Sequence, residues 1–268
     1  RKRPAADALK DWGLRHRFAG SGDRAAIGNL VYDCLRQKKS LQYLSGGESN
    51  RLLVYSLLVH DWKMLPAELR DTLEGDKFAP ELLSEDEASA MQAQDFSLAP
   101  LDVQADVPEW CVASFEANFS DDWVEELSAF TRRPPLDMRV NTLKASREKV
   151  LKQIAKTGAK RAAIARHGMR IETSKPFARQ PNVQVEEAFQ RGRFEVQDEG
   201  SQIVADLVFA RPGETVLDYC AGAGGKTLAL SAAMENKGQV HAHDSDKSRL
   251  APIHERLRRA GARNVQVV

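Results

Sequence analysis

The segment Asp218-Tyr219-Cys220-Ala221-Gly222-Ala223-Gly224-Gly225-Lys226-Thr227 concentrates residue types that bring bare backbone against a ligand. Glycines permit positive φ and close approach, and the start of a following helix presents free N–H groups. Three chemistries compete for such a turn. A phosphate-binding P-loop needs a glycine where Cys220 stands. A dinucleotide fingerprint beginning at Gly222 needs its third glycine at Thr227. Both lack a required glycine. The third is the S-adenosyl-L-methionine pocket of a class I methyltransferase, where an acid ends the first strand and a less strict glycine turn follows. Asp218 and Gly222-Ala223-Gly224 suit it, and that ligand carries no phosphate to cradle. A second acid should end the next strand and accept hydrogen bonds from the ribose hydroxyls, and Asp244 stands there. Asp244 could instead cap the next helix, but Ser245 and Asp246 can serve that purpose, which leaves Asp244 for the ribose.

These residues need a strand-turn-helix frame, and the sequence supplies one. Thr215 to Tyr219 reads as a short buried strand, Gly222 to Gly225 as a tight turn and Thr227 to Met234 as a helix. A second strand, Gln239 to Asp244, leads to a helix over Lys247 to Ala260, and Asn264 to Val268 starts a third strand. Strands alternating with helices at this spacing predict a parallel, doubly wound sheet.

The preceding chain is of another class. From Arg24 to Leu44, apolar residues recur at helical spacing and predict one long amphipathic helix. Gly46-Gly47 ends it, and Leu52 to Trp62 follows as a more uniformly apolar helix. Residues 66–74 and 80–93 read as shorter helices, and helical periodicity resumes from Trp110 to Phe130. Pro134-Pro135 breaks the pattern, and Leu136 to Asn141 alternates as a strand. Ser146 is placed to cap a basic helix reaching Thr157, with Gly158 closing it. Strand-like runs at Gly168 to Glu172 and Asn182 to Val185 complete a small mixed α/β unit. The fold class expected is α/β in three parts: a helical domain over 1–99, a helical linker with a basic α/β subdomain over 100–193, and the Rossmann-like sheet over 194–268.

A formal net charge of +1 hides opposing blocks. Residues 71–126 carry 16 acidic side chains against the single base Lys77, whereas residues 132–193 carry 16 basic against 5 acidic. The basic block suits a polyanion, because phosphate contacts dominate nucleic-acid affinity; a solvated basic helix is the plainer alternative. Cys34, Cys111 and Cys220 are three in number, with no C-x-x-C pair. That excludes a disulfide scaffold and a cysteine zinc site, and favours a reducing cytoplasm with no metal. The longest apolar run, Leu52 to Val59, is too short for the ~20 residues that cross a bilayer, so no membrane partner is expected.

Three ordered motifs, Pro134 to Thr142, Gln197-Asp198-Glu199-Gly200-Ser201-Gln202 and Asp218 to Thr227, resemble those of the RsmB/NSUN RNA 5-methylcytosine methyltransferases. The helical Arg24 to Trp62 region resembles the NusB-type domain of the bacterial RsmB branch. The resemblance implies S-adenosylmethionine as cofactor, held by Cys220, Ala221, Gly222, Ala223, Gly224, Gly225, Lys226 and Asp244. It implies that Asp218 holds the loop and that Gln197 to Gln202 packs beside it. Gly222-Ala223 stands where the family has Ala-Pro, which removes a rigid φ. Residues 132–193 correspond to the family's RNA-binding extension. There Arg132, Arg133, Arg139, Lys144 and Arg147 are candidates for phosphate contacts and Asn141 for a base or sugar, although Arg139 and Asn141 could equally be structural.

Methylation of cytosine carbon 5 requires, as the resemblance implies, a cysteine thiolate that adds to carbon 6. The family places its two catalytic cysteines after the fourth and fifth strands. Cys34 and Cys111 read as core residues and Cys220 as a cofactor contact, so no catalytic residue is assigned within the 268 positions. Because the first residue is Arg1, the expectation is a portion of a longer cytoplasmic enzyme, monomeric, acting on ribosomal RNA. A non-catalytic RNA-binding or ribosome-assembly protein that retains the cofactor fold is the alternative.

Overall fold

The computed structural model describes residues 3–173 and 180–268. The described residues form two compact units, 3–134 and 135–268. The division between them falls at Pro134–Pro135.

In the first unit all regular structure is helical: α1 (Ala5–Arg15), α2 (Ser21–Arg36), α3 (Lys38–Ser45), α4 (Asn50–Ser56), α5 (Pro66–Leu73), α6 (Glu85–Ala93), α7 (Leu101–Gln104), α8 (Val112–Phe119) and α9 (Trp123–Ser128). The long helix expected over Arg24 to Leu44 is broken at Gln37. The reason lies far along the chain. The Asp106 carboxylate accepts from the backbone N–H groups of Lys39 (2.8 Å) and Ser40 (3.1 Å), so a new helix start is satisfied without a local capping residue. Ser49 caps α4 by accepting from Leu52 N, and the expected helix over Leu52 to Trp62 widens into a π-helical turn at Leu57–Asp61. Helix α6 starts at Glu85, later than expected, because Ser84 and Glu87 form a reciprocal capping box. Leu41, Leu53, Leu57 and Trp62 make one core cluster and Tyr55, Leu69, Leu83 and Met91 another. Among the described residues no helix is long and apolar enough to cross a membrane.

The second unit contains two sheets. Strands β1 (Leu136–Val140), β2 (Lys160–Arg161), β3 (Gly168–Ile171) and β4 (Phe194–Val196) form an antiparallel sheet in the order β2-β3-β1-β4. Helix α10 (Arg147–Gln153) is capped by Ser146, which accepts from Lys149 N, and Gly158 at φ 76° closes the following turn. Alternation along β1 sends Met138 and Val140 into a core with Val150, Ile154, Met169 and Phe194. The opposite face carries Asp137 and Arg139, also buried. Asn182 to Val185 is not a strand. The Asn182 side chain accepts from Gln184 N and the chain turns as a 3-10 helix before α11 (Glu187–Gln190). Strand β4 extends the small sheet past the expected boundary at 193.

Helix α12 (Glu199–Asp206) leads to β5 (Thr215–Asp218), α13 (Gly225–Ala233), β6 (Gln239–Ala242), α14 (Lys247–Leu250), α15 (Ile253–Ala260) and β7 (Val265–Val267). The strands are parallel, in the order β5-β6-β7. Asp198 caps α12 by accepting from Ser201 N at 2.9 Å, so this helix starts at Glu199.

Candidate cofactor and RNA site

The glycine turn joins the C-terminal end of β5 to α13, where strand ends and a helix start converge. Gly222 and Gly224 adopt φ of 50° and 82°, the left-handed region that favours glycine. A Cβ on Gly224 would lie 2.5 Å from Ile253 Cγ1, so α15 packs directly on the turn. The turn closes through Gly224 N–H to Ala221 O at 2.8 Å, and Ala221 N–H donates to His243 O at 2.8 Å.

The two acids act differently. Asp218 Oδ2 accepts from Thr227 Oγ1 at 2.7 Å, which pins the first turn of α13 to the strand end. Asp244 is buried, and its two oxygens accept from Asp246 N (2.9 Å) and Gly222 N (2.8 Å). Those backbone donors, Asp246 first, hold its carboxyl below the usual carboxylate range, with Arg249 adding to the effect. A carboxylate offers about four lone-pair sites, so Asp244 keeps capacity for two hydroxyl donors. It is not a helix cap, because Asp246 caps α14 through Ser248 N and Arg249 N. These donors and acceptors fit a ribose-bearing cofactor. Lys226 is half-buried at the start of α13 and makes no hydrogen bond or ion pair among the described residues.

Two side chains that sequence reasoning missed fasten the turn from behind. Arg256, on α15, donates from Nη1 to Ala223 O at 2.8 Å and from Nη2 to Glu195 Oε2 at 3.0 Å. Glu195, on β4, also accepts from Arg259 Nη2 at 2.6 Å. Neither residue has a local signal. Glu195 is a lone acid in a three-residue strand, and Arg256 is one of several arginines on an amphipathic helix.

The motif Gln197 to Gln202 lies beside the turn: a Cβ on Gly225 would sit 3.5 Å from Gln197 Nε2. Gln197 Oε1 accepts from Arg139 Nε at 2.6 Å, and Gln202 Nε2 donates to Gln197 O at 2.8 Å. Asp137 takes a bidentate pair from Arg170 (2.7 and 2.9 Å) and the N–H of Glu199 (3.0 Å).

The residues expected at an RNA surface separate into three groups. Arg139 is buried in the lattice just described. Burial lowers its pKa to about 10, opposed by Glu195, so it stays charged at neutral pH without reaching a phosphate. Asn141 is buried too, and its Nδ2 donates to Gly192 O (2.9 Å) and Ala260 O (2.7 Å), joining the end of β1 to the end of α15. Both are structural, which corrects their expected RNA contacts. Arg133 pairs with buried Asp33 at 2.5 Å, and the Lys144 ammonium donates to Arg191 O (3.0 Å) and Arg259 O (2.6 Å). Their polar ends are engaged within the protein. Arg132 is exposed, and Arg147 lines a surface cleft in the second unit. Arg132 and Arg133 belong to the helical unit, whereas Arg139, Asn141, Lys144 and Arg147 belong to the second.

All three cysteines are free thiols. Burial, with Asp33 beside it, pushes the Cys34 thiol up to about 11. Cys111 donates from Sγ to Pro108 O at 2.9 Å, and Cys220 is exposed in the turn.

A parallel β-α-β unit with a glycine turn between two strand-end acids defines the class I methyltransferase type of fold. A family model described as 16S rRNA methyltransferase RsmB/F matches residues 206–268, and one for the ferredoxin-like domain of RsmF/B-like methyltransferases matches residues 107–178. Two successive segments of the chain are thus similar to RsmB/F methyltransferases. The probable ribosomal RNA small subunit methyltransferase B of Synechocystis sp. is 31% identical over 167 residues, covering 61% of this chain and 36% of that protein. The chain thus spans about a third of the length of the curated relatives it matches. Among solved structures, a methyltransferase homolog from Pyrococcus horikoshii is 27% identical with a TM-score of 0.53, covering 64% of this chain and 56% of that one. The crystal structure of PH0851 shares the fold over 100% of this chain and 65% of that one, with a TM-score of 0.67 at 21% identity.

Proposed function

We propose that this chain carries the cofactor-binding part and an RNA-contacting part of an enzyme that methylates carbon 5 of cytosine in ribosomal RNA, using S-adenosylmethionine. The observation that carries the reading is the glycine turn at the start of α13, where Asp244 accepts from Gly222 N–H and keeps capacity for ribose hydroxyls. When bound, S-adenosylmethionine supplies an electrophilic methyl group. Cys220 through Lys226 would line its methionine and ribose, and Asp244 would orient the ribose. Asp218 acts through Thr227, and Glu195 through Arg256, to keep the turn in place.

Carbon 5 of cytosine becomes nucleophilic only after a thiolate adds to carbon 6. Cys34 is raised in pKa, Cys111 is bonded to Pro108 O and Cys220 belongs to the cofactor turn, so we assign none of them that addition. The helical unit is proposed to be of the NusB type and the enzyme to act in the cytoplasm as a monomer.

Calorimetric titration of the chain with S-adenosylmethionine, NAD and ATP tests the cofactor assignment. Binding of S-adenosylmethionine in preference to the other two is expected, with loss on Asp244→Ala. Preference for NAD or ATP would overturn the reading.

A further inference from the structure

A cleft of about 530 Å³ opens on the small antiparallel sheet, lined by Thr142, Ser146, Arg147, Arg166 and His167, with Ala145 and Glu148 completing the wall. It is separate from the glycine turn, and its volume lies within the ~300–1,000 Å³ of small-ligand sites. Two features distinguish it from an ordinary basic surface.

The loop that carries Arg166 and His167 is fixed by its backbone. Glu199 Oε1 accepts from the N–H groups of Ile164 and Ala165, both at 2.8 Å. Gly168 N–H donates to Ala165 O at 3.0 Å, and His167 O accepts from Val140 N–H at 2.9 Å. Glu199 is itself buried and paired with Arg170 at 3.0 Å. The motif beside the glycine turn therefore also sets the cleft.

The polar side chains on this fixed frame are unspent. The Arg166 guanidinium is exposed and has no hydrogen-bond or ion-pair partner among the described residues. The Arg147 Nε is buried with no hydrogen-bond partner, while its Nη1 makes only long contacts to Ala165 O (3.5 Å) and Gly168 O (3.4 Å). The acid on the wall, Glu148, is neutralised by Arg161 at 2.7 Å. Burial, and then Arg166, lower the pKa of His167, so its imidazole is neutral at neutral pH and offers a hydrogen bond or a stacking face without adding charge.

We propose that this cleft holds one phosphodiester and its nucleoside from a single-stranded stretch of the RNA substrate, with Arg147 and Arg166 on the phosphate and His167 against the sugar or base. The inference rests on the RNA-substrate reading above. It moves the contact from residues expected at the sequence level, Arg139 and Asn141, to Arg166 and His167. Guanidinium pairs suit a phosphate because two N–H groups can engage two oxygens, and unpaired RNA exposes sugar and base edges together.

The test is fluorescence anisotropy of the 268-residue chain with a short, unstructured, dye-labelled ribo-oligonucleotide over a range of salt concentrations. Arg166→Glu is expected to weaken binding about tenfold or more, as removal of a charge-assisted hydrogen bond implies. It should also flatten the slope of log K against log salt by about 0.7 for each phosphate that is no longer neutralised. Lys156→Glu makes the same charge change at an exposed site outside the cleft and should alter binding much less. His167→Ala should weaken binding with the salt slope unchanged. Equal losses for Arg166→Glu and Lys156→Glu would overturn the cleft, because diffuse charge would then explain both. Competition by inorganic phosphate as effective as by cytidine monophosphate would overturn the nucleoside half of the proposal. Failure of the unmodified chain to bind the oligonucleotide would refute the RNA reading itself, and is thereby distinct from failure of the cleft.

Discussion

The two sheets of the second unit are held by opposite means. In the antiparallel sheet one face is apolar, with Met138, Val140, Met169 and Phe194, while the other is an interior lattice of charge: Asp137 with Arg170, Arg139 with Gln197, Glu195 with Arg256 and Arg259. The parallel sheet has aliphatic packing instead, in a cluster with Leu228, Ala242, Ile253 and Leu257 and a second with Leu230, Met234 and Val240. Apolar packing is tolerant of direction, whereas a buried charge lattice works only when each partner is in place. The glycine turn sits where the two meet, with Ile253 against Gly224 and Arg256 on Ala223 O.

The contrast can be broken from either side. The largest effect is expected for Glu195→Ala, which leaves Arg256 and Arg259 without a carboxylate in the interior. Breaking such a pair costs about 3–5 kcal/mol, and chemical denaturation should show it together with a drop in cofactor affinity through Arg256. Ile253→Ala opens a cavity in a fully buried site and should cost about 2–4 kcal/mol. A destabilisation well below that would mean that α15 is held by its arginines rather than by its apolar face.

Acid sharpens the comparison. Asp244 has a lowered pKa in the folded protein, so its contribution is present above the ordinary carboxylate value and disappears as pH falls through the lowered one. Cofactor affinity should accordingly show no Asp244-linked change from about pH 8 to about pH 5, because that range lies above both values. An Asp244-dependent fall in affinity at mildly acidic pH in the calorimetric titration would contradict this assignment. The smallest effect is expected for Arg161→Ala. That residue pairs with Glu148 in an arrangement more than half exposed on both sides, and its thermal midpoint should move by less than the equivalent of about 0.5 kcal/mol.

Legibility in the sequence followed the range of the interactions. The parallel β-α-β order, the glycine turn and both strand-end acids could be read because strand, turn and helix signals are local. Caps at Ser146 and Gly158 were legible for the same reason. The break at Gln37 was not, since the carboxylate that satisfies α3 comes from Asp106 in a distant segment. Strand β4 is three residues long with a charge in the middle, and its identity comes from pairing with β1. The arginines were hardest to read. Arg139 and Arg166 look alike in sequence, but alternation in a sheet covered on both faces buries the first, and a loop fixed by Glu199 presents the second.

Arg256 touches both the backbone of the glycine turn and the carboxylate of β4, and this makes the two places thermodynamically linked. Whatever steadies Ala223 also steadies Glu195, and by reciprocity a strand held more firmly offers a turn with less disorder to lose on filling. Amide exchange in β4 should therefore slow when S-adenosylmethionine is added, and RNA engaged on the small sheet should tighten cofactor binding by the same factor that the cofactor tightens RNA.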